Sequence, residues 1–101
     1  MCETRMSVAD LKDTEPYMES ADYKERFFAE YAQTKIRYER LKAFCNRIEA
    51  SHNSMNVQEP EHDCPYEMLR EQQKVMGQYL HILEVRAVIE EIDIRQKIHE
   101  V

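Results

Sequence analysis

Glycine is almost absent from this chain: one in 101 residues, Gly77, beside three prolines and no tryptophan. A β-sandwich or barrel needs a turn signal about every 8–12 residues, so this scarcity excludes both and points to long helices. Long apolar runs are also missing. Nothing approaches the ~18–20 consecutive apolar residues of a membrane span, and no apolar stretch follows Arg5 as a secretory leader would require. The expectation is a cytoplasmic protein with no membrane partner. Cysteine is sparse and odd in number, Cys2, Cys45 and Cys64, with no C-x-x-C pair, which fits reduced thiols better than a disulfide framework. With one glycine there is neither a Gly-rich phosphate loop nor a nucleophile elbow, so neither an enzyme nor a cofactor is expected. His62 and Cys64 supply only two of the four ligands of a tetrahedral site, and no metal is expected.

Positive charge is in deficit: 14 Lys and Arg stand against 20 Asp and Glu, for a net charge of -6. That balance argues against a protein that coats duplex nucleic acid by releasing its counterions. The charge is unevenly placed, however. Residues 1–22 carry -4, residues 23–58 carry +3 and residues 59–101 carry -5. An anionic ligand would therefore be held by the middle segment.

What is present is helical period. Asp22 is a plausible N-cap with Glu25 three residues on, and no Gly or Pro follows before Pro60. The series Phe27, Tyr31, Thr34, Tyr38, Leu41, Cys45, Ile48 advances by alternating steps of four and three, a heptad seam broken only by Thr34. This predicts a helix over 22–50, a polar loop over 51–63 and a second helix over 64–95 that Pro65 opens at its first position. The second helix carries a seam of Met68, Gln72, Val75, Tyr79 and Ile82, with Leu69, Met76, Leu80, Leu83 and Ala87 beside it. That stripe is wider than one partner helix needs. The fold class is all-α: a long antiparallel helical hairpin over 21–95, with a flexible or docked N-terminal arm over 1–20 and a C-terminal tail over 96–101. The surplus apolar face predicts a homo-oligomeric helical bundle, most simply a dimer with four helices.

Gly77 sits inside the second helix, where it costs about 1 kcal/mol relative to Ala, and a cost tolerated there implies close approach of a neighbouring helix or a ligand. Lys35, Arg37, Arg40, Lys42 and Arg47 alternate with Tyr31, Tyr38 and Phe44, a composition that binds phosphates and stacks bases, although cations on the outer face of a bundle are also ordinary. Lys35 and Glu39 form an i,i+4 pair. Glu84, Glu90 and Glu91 read as surface charge, since nothing places a nucleophile or an oxyanion donor beside them.

The phrase Asp22-Tyr23-Lys24-Glu25-Arg26-Phe27, the run from Glu30-Tyr31 to Tyr38-Glu39, and Cys64-Pro65 followed by Met76-Gly77-x-Tyr79-Leu80 and Arg86-Ala87 resemble small uncharacterised proteins of crAss-like and other gut phages, over about residues 21–92. More loosely, Tyr38-Glu39-x-Leu41-Lys42, the loop, Cys64-Pro65 and a second helix with an aromatic followed by Arg86 are similar to the hairpin domain of phage anti-CBASS and anti-Thoeris sponges. Tyr66-Glu67-Met68 replaces that family's Ser-Arg-Glu run. The resemblance implies a small homo-oligomer that sequesters a cyclic nucleotide or related signalling nucleotide in the infected host's cytoplasm, without catalysis. The candidate ligand-binding residues are Lys35, Arg37 and Lys42 as phosphate partners, Tyr31 and Tyr38 as stacking faces, and Arg70 or Tyr79 from a facing helix or protomer. The rival reading is a helical protein-interaction module whose wide apolar face grips a host or phage protein.

Overall fold

The computed structural model describes residues 10–94; the chain before Asp10 and the tail over 96–101 lie outside the described residues. A 3-10 turn, Leu11–Thr14, runs into a single helical turn, α1, Glu15–Met18, followed by two long helices, α2, Tyr23–Asn53, and α3, Tyr66–Glu90. The described residues contain no strand.

Asp22 caps α2 as its sequence suggests, with extended backbone and a carboxylate that accepts the Lys24 N–H at 2.9 Å. The helix runs three residues past the expected end at 50, and polar side chains of its last turn bond back onto it: Ser51 Oγ donates to the Ile48 carbonyl at 2.6 Å and Asn53 Nδ2 to that of Glu49 at 2.9 Å. The chain turns extended at Ser54 and reverses through residues 54–65. Pro65 occupies the N-cap of α3 rather than its first helical position, and its carbonyl accepts the Met68 and Leu69 N–H groups at 3.1 Å.

The two helices form an antiparallel hairpin. Its cross-links, Tyr23 to Glu90, Tyr31 to Glu84, Tyr38 to Gly77 and Glu49 to Arg70, climb one helix as they descend the other. On α2 the heptad seam faces α3: Phe27, Tyr31, Cys45 and Ile48 are buried, and Thr34, Tyr38 and Leu41 are half-buried. On α3 the packed side is not the expected seam. Leu80, Leu83 and Ala87 are buried and Leu69 and Met76 half-buried, whereas Met68, Gln72, Val75, Tyr79 and Ile82 are exposed. α3 is apolar on two opposite faces, and the face that packs on α2 is the one holding Ala87 and Gly77, where the absence of bulk lets the backbones close.

α2 is also covered on a second side. Asp10 caps the 3-10 turn in a capping box with Asp13, and the arm that follows lies along Phe28, Ala29 and Ala32, each fully buried. The Tyr17 ring meets Phe28 edge-on at 5.6 Å, the buried Thr14 hydroxyl accepts Gln33 Nε2 at 2.9 Å, and Arg40 pairs with Asp10 at 2.8 Å. The far end of the hairpin closes differently from the helix to 95 that the sequence predicts. α3 stops at Glu90, Glu91 takes the left-handed conformation with φ 59°, and the Ile92 N–H returns to the Ala87 carbonyl at 2.8 Å, a Schellman termination. Left-handed backbone costs a non-glycine residue about 1–2 kcal/mol. It turns Ile92 and Ile94 into the core, each 7% exposed, and burying two isoleucines contributes about 3–6 kcal/mol. Burial wins over helix continuation.

Candidate basic and aromatic edge of the hairpin

The hairpin has two long edges where α2 meets α3. Along one, residues three and four apart bring Tyr31, Lys35, Tyr38, Lys42, Asn46 and Glu49 onto a single flank of α2. Facing them on α3, steps of seven carry Arg70, Gly77 and Glu84. Tyr31 is 6% exposed, and its hydroxyl donates to Glu84 Oε2 at 2.8 Å. Burial first, and then the hydrogen bond to Glu84, push its phenol far above the ordinary tyrosine range. Tyr31 is therefore a neutral donor at any physiological pH, and its ring is part of the core rather than an open stacking face.

Tyr38 lies across Gly77. A Cβ at residue 77 would come within 3.3 Å of Tyr38 Cε1, so the lone glycine makes room for an aromatic ring of the neighbouring helix. Lys42 Nζ sits 6.0 Å from the centre of that ring, at the outer limit of a cation–π contact. It is exposed and has no ion-pair partner among the described residues. One turn earlier Lys35 Nζ lies 3.4 Å from Glu39. Farther along, Arg70 is held on every side: Nε donates to Tyr66 Oη at 2.8 Å, Nη1 to Gln73 at 2.5 Å, and Nη2 to Asn46 at 3.0 Å and Glu49 at 2.6 Å. Its guanidinium also lies over the Tyr66 ring at 5.4 Å. An anion reaching Arg70 has to displace Glu49. Lys42 is consequently the cation most open to a ligand, with Lys35 next.

The other edge holds Arg37 and Tyr79. Tyr79 donates to Glu30 on α2, and Arg37, exposed, follows Glu30 by seven residues on the same flank. This edge is closed at its end by Tyr23, which donates to Glu90 at 2.6 Å, while Arg86 donates to the same carboxylate at 2.9 Å and to the Tyr23 oxygen. Arg86 also lies 4.9 Å over the Phe27 ring. The Tyr23 hydrogen bond, and then that of Arg86, hold Glu90 below the usual carboxylate range. Of the seven candidates, then, Tyr31, Lys35, Tyr38, Lys42 and Arg70 share one edge and Arg37 and Tyr79 the opposite one. Gln73, Asn46 and Glu49 belong to the first edge and were not singled out from sequence, and Glu84, read there as surface charge, is half-buried on the same edge as the acceptor of Tyr31. The steps of seven from Arg70 through Gly77 to Glu84 carried that signal.

At the hairpin's loop end a third polar group forms. His62 Nδ1 lies 2.7 Å from the Cys64 carbonyl and its Nε2 2.9 Å from Glu59, whose other oxygen is 3.3 Å from His52. No group of three or more His, Cys, Asp or Glu among the described residues is arranged to hold a metal ion, and no helix among them is long and apolar enough to cross a membrane. A separate open hollow of about 500 Å³ lies between the arm and α2, lined by Leu11, Lys12, Thr14, Glu15, Met18 and Gln33, and includes none of the seven candidates.

The model of a protein family described as Sequestin matches residues 21–89, which covers α2, the loop, almost all of α3 and both edges, and excludes the N-terminal arm. No curated protein and no solved structure matches the chain.

Proposed function

The chain belongs to the Sequestin family, whose model spans more than half of its length, and on that premise we propose that it binds and sequesters a nucleotide immune messenger without turning it over, as a phage anti-defence protein in the host cytoplasm. The family's name denotes sequestration, which is a binding role. The observation that carries the nucleotide reading is the Tyr38 ring packed against Gly77 with the open Lys42 ammonium 6.0 Å over its centre. A flat aromatic beside an unpaired cation is the pair of groups that a base and its phosphate require. Lys35 lies one turn away and exchanges Glu39 for phosphate at little cost, because exposed ion pairs contribute about 0–1 kcal/mol. Arg70 holds the edge in shape rather than taking the ligand. Sequestration needs only stoichiometric binding, so the site needs no nucleophile or acid–base pair.

The test is native mass spectrometry of the full chain with and without a panel of cyclic di- and trinucleotides and cyclic ADP-ribose isomers, followed by thermal melts. One member adds mass, leaves unchanged on denaturation and raises the melting temperature of the wild type, and Lys42→Ala lowers its affinity at least tenfold while the protein's own melting temperature stays within 2 °C or so. A nucleotide that binds equally well to Lys42→Ala removes this edge from the proposal, and no uptake of any member removes the nucleotide.

A second reading, a module that grips another protein, draws on the exposed apolar face of α3, where Ile82 is 54% and Ile89 73% exposed. A pull-down with the intact chain as bait, compared with Ile82→Glu, distinguishes it.

A further inference from the structure

α3 leaves a row of apolar side chains facing away from α2. Met68, Val75, Ile82 and Ile89 repeat every seven residues, with Val85 and Val88 filling the C-terminal half, and all six are between 44% and 79% exposed. Together they form an exposed apolar stripe along one helix, and a contiguous stripe of this kind marks an interaction surface. A seven-residue repeat is the period at which one helix meets another along its length. The arm already covers the opposite side of α2, and Ile92 and Ile94 fold into the core beside Ala87, so no described segment of this chain reaches the row.

We propose that the outer face of α3 is a homotypic interface on which a second copy of this chain docks with its α3 antiparallel. The row is complementary to its own reversal. With a two-fold axis between Gln78 and Tyr79, Val75 of one copy meets Ile82 of the other, Met68 meets Ile89, and Glu71 meets Arg86. Apolar groups fall on apolar groups and acid on base. A parallel pair would set Glu67 and Glu71 against their own copies, and like charges at such distances repel. The helix macrodipoles also favour the antiparallel pair. A stripe one helix wide places the contact near the lower end of standard interface areas.

The arrangement completes the binding edge, a consequence that rests on the sequestering role proposed above. Lys74 and His81, both exposed, follow Arg70 and Gly77 by four residues and so lie on the rim between the apolar row and the edge that holds Tyr38. A two-fold axis perpendicular to the two α3 helices puts these rims on the same side of the dimer. Each copy then adds Lys74 and His81 to a cleft flanked by both Tyr38–Lys42 pairs, and the cleft carries cations from both chains.

Three measurements on the full chain test this. Sedimentation equilibrium between about 1 and 100 μM gives a dimer for the wild type and a monomer, with unchanged helical circular dichroism, for Val75→Glu/Ile82→Glu, whose native side chains are half-exposed and do not hold the hairpin together. A wild type that stays monomeric across that range overturns the interface. With Cys2 and Cys64 replaced by Ser, Gln78→Cys lies beside the two-fold axis and cross-links to its own copy, whereas Glu71→Cys does not. Cross-linking of Glu71→Cys overturns the antiparallel order. Finally, the nucleotide that adds mass to the wild type binds Val75→Glu/Ile82→Glu at least tenfold more weakly. Equal binding by the monomeric variant overturns the shared cleft and leaves sequestration standing. If no nucleotide binds the wild type, the role fails and the cleft with it, while the mass of the free protein still decides the interface.

Discussion

At the residue scale, the most constrained polar side chain in the loop is His62. Its Nδ1 must carry a proton to reach the Cys64 carbonyl at 2.7 Å, and a neutral ring would then point the lone pair of Nε2 at the Glu59 carboxylate 2.9 Å away. Both contacts are favourable only for the imidazolium. The Glu59 hydrogen bond, and then the Cys64 carbonyl, hold the His62 pKa above its ordinary 6.5, and the His62 contact holds Glu59 below its ordinary 4.5. The stabilisation from a raised histidine is complete below about pH 6.5 and is lost as pH rises through the folded value. That from a lowered carboxylate is complete above about pH 4.5 and is lost as pH falls through its folded value. The loop is therefore tightest between about pH 4.5 and 6.5. Proton NMR titration of the His62 ring gives a midpoint above 6.5 that falls in Glu59→Gln, and a midpoint at 6.5 in the wild type would show that the pair does not form in solution. The candidate edge was partly legible at this scale. The basic and aromatic residues of α2 were visible in sequence, and so was the demand of Gly77 for a close neighbour. That the neighbour is Tyr38, and that Tyr31 is core rather than platform, depended on which way α2 is rotated against α3.

At the scale of the element, helix starts were written in local chemistry and helix ends were not. Asp22 and Pro65 punctuate the chain by their own geometry and mark both starts to within a residue or two. The end of α3 is different, because Val88, Ile89, Ile92 and Ile94 are compatible with continued helix as much as with a stop. Glu91 adopts left-handed backbone without the freedom of glycine, held there by the burial of Ile92 and Ile94 on its far side. Glu91→Gly relieves that strain at a position where glycine is the preferred residue. The variant gains about 0.5–1 kcal/mol, read as a rise of roughly 2–8 °C in melting temperature. A fall in melting temperature would mean that residue 91 is helical in solution and that α3 runs on.

At the scale of the whole molecule, α2 is the centre of a three-part packing, with α3 on one side and the arm on another. The arm closes over Phe28, Ala29 and Ala32, and Tyr17, Thr14 and Asp10 each fasten it to α2. Removal of residues 1–18 exposes Phe28 and the flank beside it and leaves Gln33 without its Thr14 partner. Burial of one large aromatic contributes about 1.5–3 kcal/mol, so the truncated chain melts at least 6 °C below the intact one. An unchanged melting temperature would show that the hairpin stands without the arm. The family match begins at residue 21 and does not include this segment.

The sequence by itself determined that the protein is helical, that two long helices are joined by one polar loop, and that a cluster of cations and aromatics lies on the first of them. These are consequences of composition and period, which act within a few residues of chain. Only the tertiary structure decided which of the two apolar faces of α3 meets α2. It also decided which candidates share an edge, separating Lys42 and Tyr38 from Arg37 and Tyr79, and it buried the chain after Glu90 rather than letting it continue as helix. Each of these depends on the rotation of one helix about its axis relative to another, and that angle is set by the close approach that Gly77 and Ala87 permit and by the volume that Phe27, Leu83, Ile92 and Ile94 together must fill.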